Sequence, residues 1–289
     1  CMAPIFRPLI KVQKLDEPGY KDIEIASARM VKSSSGAPHN CIAEVASLMT
    51  EPMIDGLNDK IVEDHGWKPA KKDCVEVYNR LSQEDIIHPS EKLIGLEGDA
   101  VDMYLCMDYD IIREDIEEIL IYFEKDVDFI QFYTRAIETL MRINYWRQPG
   151  GIFTVGRRGA NGFSIGCFLA ANGSELIIVW REGMMLKTLK ERGLMEYVRL
   201  LSRYKDDFLL LLVWHPTRTI EVIKIISKAF PSSLKFKFKI STLRVDFVDQ
   251  SLYINQDSQN YIRLLRKAES SYDYPRKSTN MNNPTIYGT

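Results

Sequence analysis

The 289-residue chain lacks any apolar run near the ~18 residues of a membrane span; the longest, Phe208–Val213, is the length of a buried strand. It lacks Cys-x-x-Cys pairs. Its five cysteines (Cys1, Cys41, Cys74, Cys106, Cys167) are odd in number and far apart, and its four histidines (His39, His65, His88, His215) do not stand at ligand spacing to them. This argues against a structural zinc site and for a reducing intracellular compartment, nuclear or cytoplasmic. Net charge is also nearly absent, 38 basic residues against 40 acidic giving −2. With 45% apolar, 27% charged and 10% aromatic residues, collagen, coiled coil and disorder are excluded. No signal peptide is expected, since Arg7, Lys11 and Lys14 break up the start, and opening at Cys1-Met2-Ala3-Pro4 reads as a trimmed beginning. The expectation is a soluble globular chain with one large domain or two lobes, and no membrane partner.

The balance of charge hides an uneven layout. From Glu97 to Asp128 there are 12 acidic residues against 2 basic, and from Tyr197 to Arg244 there are 10 basic against 3 acidic. Two solvated faces of opposite sign would give this pattern; so would a polyanion-binding surface beside a cluster of metal-binding carboxylates.

Periodicity sets out the elements. Phe6–Val12 and Ile23–Ala28, joined by Glu17-Pro18-Gly19, fit a β-hairpin, and Ile42–Met53 has helical spacing. Leu93–Tyr104 is expected as a strand carrying Asp99 and Asp102. Asp110 and Asp128 are expected to cap two helices. Glycines 150, 151, 156, 159 and 162 form a crowded block, followed by an apolar helix over Phe163–Trp180 and a short one near Met184–Glu191. Tyr197–Tyr204 and Phe208–Trp214 form a hairpin with Lys205-Asp206-Asp207 at its tip, Pro216 begins a helix, and Leu234–Ile240 alternates as a strand. Leu243–Phe247 and Ser251–Asn255 make another hairpin. From residue 93 to 241 the order is strand, helices, hairpin, helix, strand. That is a split βαβ, with helices on one face of an antiparallel sheet and Asp99 beside Asp206-Asp207.

Carboxylates on adjacent strands repel unless a cation lies between them. Mg²⁺ takes oxygen ligands, one or two from protein carboxylates and the rest from phosphates and water. A pair of such ions about 3.5–4 Å apart suits attack by a 3′-hydroxyl and departure of pyrophosphate. Against this, Asp-Asp is also a favoured turn dipeptide. Asp102, Asp108 and Asp110 compete with Asp99 as ligand.

The sequence around the turn, Arg203-Tyr204-Lys205-Asp206-Asp207-Phe208, resembles the Tyr-x-Asp-Asp motif of reverse transcriptases, and most closely the Arg-Tyr-x-Asp-Asp form of Penelope-like retroelements. Other blocks follow in that family's order. Asp99-Ala-Val-Asp-Met-Tyr104 is similar to the first palm motif, Gly151–Gly156 through Ser164 and Asn172 to the second, Val245–Asp249 to the block closing the palm, and Pro8–Lys14 to a fingers block. The sequence departs from the family in an insertion at Arg157–Asn161, in Lys205 where an apolar residue is usual, and in a missing Arg-Pro of the fingers. The endonuclease and full thumb that such elements usually carry have no counterpart in these 289 residues, and a fingers–palm core is the expectation.

The resemblance implies an α+β right-hand polymerase core. Fingers would span 1–92 and palm 93–242, with 243–289 holding the end-of-palm hairpin and the start of a truncated thumb. It implies RNA-directed DNA synthesis on an RNA template and DNA primer from deoxynucleoside triphosphates, with Mg²⁺ or Mn²⁺ held by Asp99, Asp206 and Asp207. Tyr104 would be a steric gate, with Gly156 and Ser164 also at the nucleotide and one of Lys21, Arg29 or Lys32 gripping the triphosphate. Lys11, Lys14, Arg157, Arg158, Lys235, Lys237 and Lys239 would meet nucleic acid. A domesticated RNA-binding scaffold and another palm-type nucleotidyl transferase are the alternatives. On residue type alone, Tyr104 is a core aromatic, the glycine cluster a set of turns and the three lysines a solvated edge.

Overall fold

The computed structural model describes residues 5–10, 28–33, 39–71, 76, 91–101, 103–142, 145–148, 151–154, 162–163, 167–248, 250–254 and 262–266. Strands β1 (Ile5–Ile10) and β2 (Ala28–Ser33) pair antiparallel, and residues 11–27, with most of the expected second strand and its turn, lie outside the described residues. Helix α1 (Asn40–His65) runs well beyond the expected Met53. It stops at Gly66, whose φ of 76° lets its N–H close back on the Val62 carbonyl.

Strand β3 (Leu93–Val101) ends three residues before the expected Tyr104, which lies instead on a one-turn helix, α2 (Met103–Cys106). Helices α3 (Tyr109–Tyr122) and α4 (Val127–Arg142) follow, and their caps correct the sequence reading. Asp108 accepts the Asp110 N–H at 3.0 Å and Asp126 accepts the Phe129 N–H at 2.8 Å. Asp110 and Asp128 therefore sit one step inside the helices, where their charge meets the positive end of the dipole.

Part of the glycine block lies in a hairpin of β4 (Tyr145–Gln148) and β5 (Gly151–Thr154), strands that the sequence reading did not name; β4 joins β1, giving the order β2-β1-β4-β5. Helix α5 (Phe168–Glu191) is continuous across the break expected after Trp180. Strands β6 (Val198–Tyr204) and β7 (Asp207–Val213), helix α6 (Arg218–Ala229) and strand β8 (Lys235–Ser241) complete the main sheet, ordered β6-β7-β3-β8 and antiparallel throughout. This is the split βαβ read from the sequence. A small sheet of β9 (Arg244–Phe247), β10 (Gln250–Ile254) and β11 (Ile262–Arg266) contains the expected second hairpin and adds a strand. No helix among the described residues is long and apolar enough to cross a membrane.

The main sheet is covered on both sides over most of its length. Ile94, Leu96, Leu201, Phe208, Leu210 and Leu212 join the core beneath the helices. The alternate residues Leu93, Leu200, Leu209 and Leu211 pack against Val245, Phe247, Leu252 and Ile254 of the β9–β10 hairpin. This explains why β7 reads as an unbroken apolar run instead of alternating. The hairpin approaches β3 at Gly95, where a Cβ would lie 2.6 Å from Val245 Cγ1. Gly95→Val is therefore expected to push the hairpin off the sheet and cost about 1–3 kcal/mol, measured by urea unfolding with the urea dependence of ΔG unchanged.

Candidate active site

The β6–β7 turn is tighter than the sequence suggested. Tyr204 pairs directly with Asp207, so the loop is Lys205-Asp206 alone and Asp207 is the first residue of β7. Lys205 adopts φ 55°, a left-handed conformation that costs a non-glycine residue about 1 kcal/mol. Two hydrogen bonds hold the turn there. Arg203 donates to the Lys205 carbonyl at 3.2 Å, and the Ala100 N–H donates to the Asp206 carbonyl at 3.0 Å.

The second of these bonds ties the turn to the end of β3. Asp99 and Asp207 are register partners, and the chain continues from Asp207 to Asp206 in the turn. Opposed residues of antiparallel strands have Cα atoms about 4.5–5.5 Å apart, which puts two carboxylates on one face. That face is the one covered further down by β9 and β10; the cover ends before Asp99, which is exposed, while Asp206 and Asp207 are half-buried. On its other side Asp99 is opposite Lys237, and the neighbouring Lys239 is bonded to Glu97 at 2.7 Å.

Among the described residues, no group of three or more His, Cys, Asp or Glu side chains forms a ready metal-binding cluster. The donor chemistry nevertheless fits a hard cation. Asp99 and Asp207 offer oxygen ligands from adjacent strands on an open face, and Mg²⁺ needs no more than one or two protein carboxylates when phosphates and water complete its shell.

Behind the turn lies an ion cluster that the sequence reading missed. Arg203 is 1% exposed, on the helix side of β6. Its guanidinium donates to Glu182 at 2.6 and 3.2 Å and to Glu175 at 2.8 and 2.7 Å. Glu182 is fully buried and Glu175 is 26% exposed. Burial alone would lower the Arg203 pKa, but Glu182 and Glu175 outweigh it and hold the guanidinium above its ordinary range. Burial pushes the Glu182 carboxyl up, and Arg203 pulls it back. The backbone of Arg203 is held as well, its N–H donating to the Pro69 carbonyl at 2.8 Å and its carbonyl accepting from the Lys71 N–H at 2.9 Å. The available signal was two acids seven residues apart, on one face of a mostly apolar helix, and an arginine inside an apolar strand.

Tyr104 is half-buried against the core on α2, and its carbonyl accepts the Phe163 N–H at 2.8 Å. Beside it, Gly162 lies so close to the Leu105 backbone that a Cβ would fall 2.2 Å from the carbonyl oxygen. The end of the glycine block is thus laid directly on the turn that carries Tyr104. Arg29 and Lys32 are on β2, opposite Leu9 and Phe6, in the other four-stranded sheet. Lys235 is on β8, opposite Val101. Lys11, Lys14, Lys21, Asp102, Gly156, Arg157, Arg158 and Ser164 lie outside the described residues.

Solved structures share the fold. Telomerase from Candida albicans, in complex with a fragment of telomeric RNA, matches with a TM-score of 0.60 at 13% identity over 99% of this chain and 48% of its own. Apo telomerase from Candida tropicalis gives 0.56 at 14% identity over 87% and 48%. The RNA-dependent RNA polymerase of a human picobirnavirus, with an insertion loop deleted, gives 0.54 at 12% identity over 90% and 46%. The chain has a polymerase-like fold. It spans about half the length of these matched chains. No protein-family profile and no curated protein matches the sequence.

Removing Arg203 strands Glu182 in the core. Arg203→Met is expected to cost about 3–5 kcal/mol in urea unfolding. Adding Glu182→Met should recover part of the loss, because Glu175 can still reach water.

Proposed function

We propose that this chain is the catalytic core of a template-directed nucleotidyl transferase that extends a DNA primer on an RNA template. The observation that carries the reading is the register of Asp99 against Asp207, with Asp206 in the adjoining turn, at the uncovered end of a sheet in a polymerase-like fold. The Candida albicans telomerase of similar fold was solved with an RNA fragment, which supports RNA as the partner. The Penelope-like variant of the family is supported by Arg203-Tyr204-Lys205-Asp206-Asp207 alone.

In this reading Asp99, Asp206 and Asp207 hold Mg²⁺ or Mn²⁺, which supplies charge neutralisation for an attacking 3′-hydroxyl and a departing pyrophosphate. Arg203 acts only through the turn, fixing Lys205 and with it the two aspartates. Tyr104, held beneath Gly162, limits the space for a ribose 2′-hydroxyl. Lys237, exposed beside Asp99, faces the phosphates of primer or nucleotide. The fingers, palm and closing segments retain the proposed limits of 1–92, 93–242 and 243–289. The described strands β4 and β5 also contribute to the sheet of β1 and β2.

Primer extension on an RNA template with Mg²⁺ or Mn²⁺ tests the reading. Asp206→Asn is expected to reduce extension to background with an unchanged unfolding midpoint, because it removes charge and little volume. Full activity in that variant would remove the carboxylate mechanism, and wild-type RNA binding without extension under either metal would favour the scaffold class. In a second assay, Tyr104→Ala should raise the ratio of ribonucleotide to deoxynucleotide incorporation by roughly tenfold or more. An unchanged ratio would leave the ring a packing residue.

A further inference from the structure

On the helix side of the main sheet, away from Asp99 and Asp207, two depressions adjoin along α5. The first, of 860 Å³, is enclosed by α1, the end of α3 and α5, with Leu57, Ile61, Tyr122, Trp180 and Met184 on its walls. The second, of 440 Å³, shares Met184 and Thr188 with the first and continues onto α6 at Ile225. Trp180, Gly183, Met184, Lys187, Thr188 and Glu191 have the 3–4-residue spacing of one helical face, so the combined groove follows α5 for about 17 Å, a helix-sized track.

Three observations within the groove indicate an occupant. The Trp180 indole N–H is buried without an acceptor. Gly183 is not required by the chain's own packing. A Cβ there would lie 3.6 Å from Ile61, an ordinary contact, and its φ is not in the left-handed region. Glycine inside a helix is destabilising relative to alanine, so what it provides here is a notch. Finally, the rim has uncompensated positive charge. Asp64 and Glu221 are neutralised by Lys60, Arg192 and Arg218. Lys187, Lys224 and Lys228 have no anionic partner among the described residues, against Glu191 as the one uncompensated acid of the lining.

We propose that this groove docks an acidic amphipathic helix of a partner protein. Apolar residues at i, i+3 and i+7 would seat on the Met184 floor and in the Gly183 notch, flanking carboxylates would meet Lys187, Lys224 and Lys228, and one acceptor would take the Trp180 N–H. The deformable methionine side chains suit such a surface. An apolar floor with separated cations fits a helix better than a nucleic-acid backbone, which follows a continuous positive groove. The proposal does not depend on the polymerase reading, since the groove and the carboxylates lie on opposite faces of the sheet.

The test is fluorescence anisotropy with a labelled synthetic peptide of about 18 residues, long enough to cover the groove, carrying a leucine face flanked by glutamates. A lysine-flanked counterpart and a short single-stranded RNA serve as comparisons. Wild-type protein should bind the acidic peptide saturably at one site and ignore the basic one. Lys224→Glu with Lys228→Glu should weaken binding about tenfold. Gly183→Trp should abolish it, while Gly183→Ala keeps binding and unfolds at the same or a higher temperature. Absence of saturable binding, or equal binding by Gly183→Trp, would overturn the proposal. Displacement of the peptide by the RNA would make this a nucleic-acid surface instead. Self-association that Gly183→Trp removes, without peptide binding, would assign the groove to a second copy of the chain. Both results count against a partner helix.

Discussion

One buried guanidinium ties together the elements around the candidate site. Arg203 joins α5 to β6 through Glu175 and Glu182, holds the 69–71 segment through its backbone, and reaches forward to the Lys205 carbonyl. A buried charge is tolerable only when its hydrogen bonds are satisfied, and here the carboxylates and the Lys205 carbonyl accept them. The arrangement defines one position for the turn. Lys205 can occupy an unfavourable left-handed conformation because the bonds on either side leave it no alternative.

The same sheet explains why the carboxylates are accessible. Over most of their length β3 and β7 are sandwiched between helices and the β9–β10 hairpin, so both faces are apolar. The hairpin can lie close because Gly95 has no side chain, and the Asp246 N–H donates to Glu97 at 2.7 Å near the edge of the covered region. Beyond that edge Asp99 and Asp207 meet on a surface open to solvent.

Local errors in the sequence reading share a cause. A strand pattern through Tyr104 and a helix break after Trp180 are plausible from periodicity, yet tertiary contacts decided otherwise. Tyr104 turns inward because Gly162 is laid on its neighbour's backbone, and α5 continues because its buried face packs along α1 for its full length. The helix caps were misplaced by two residues in each case because Asp108 and Asp110, or Asp126 and Asp128, are equivalent caps by composition. The second four-stranded sheet, joining β1 to β4, pairs segments some 140 residues apart, which no local pattern encodes.

By itself the sequence determined the order of the main-sheet strands and the helices between them from 93 to 241, the antiparallel sheet with helices on one face, and the proximity of Asp99 to the Asp206-Asp207 pair, because apolar periodicity and turn chemistry are local properties that survive in a linear reading. It also pointed to oxygen-donor side chains for the proposed cation site, where Asp99 and Asp207 are opposed. Only the tertiary structure showed that Asp207 begins β7 and is the direct partner of Asp99, that Arg203 is spent on Glu175 and Glu182, and that Gly183 opens a notch beneath a rim of lysines. These are consequences of register and of which face each element buries, and both are set by contacts between residues far apart in the chain.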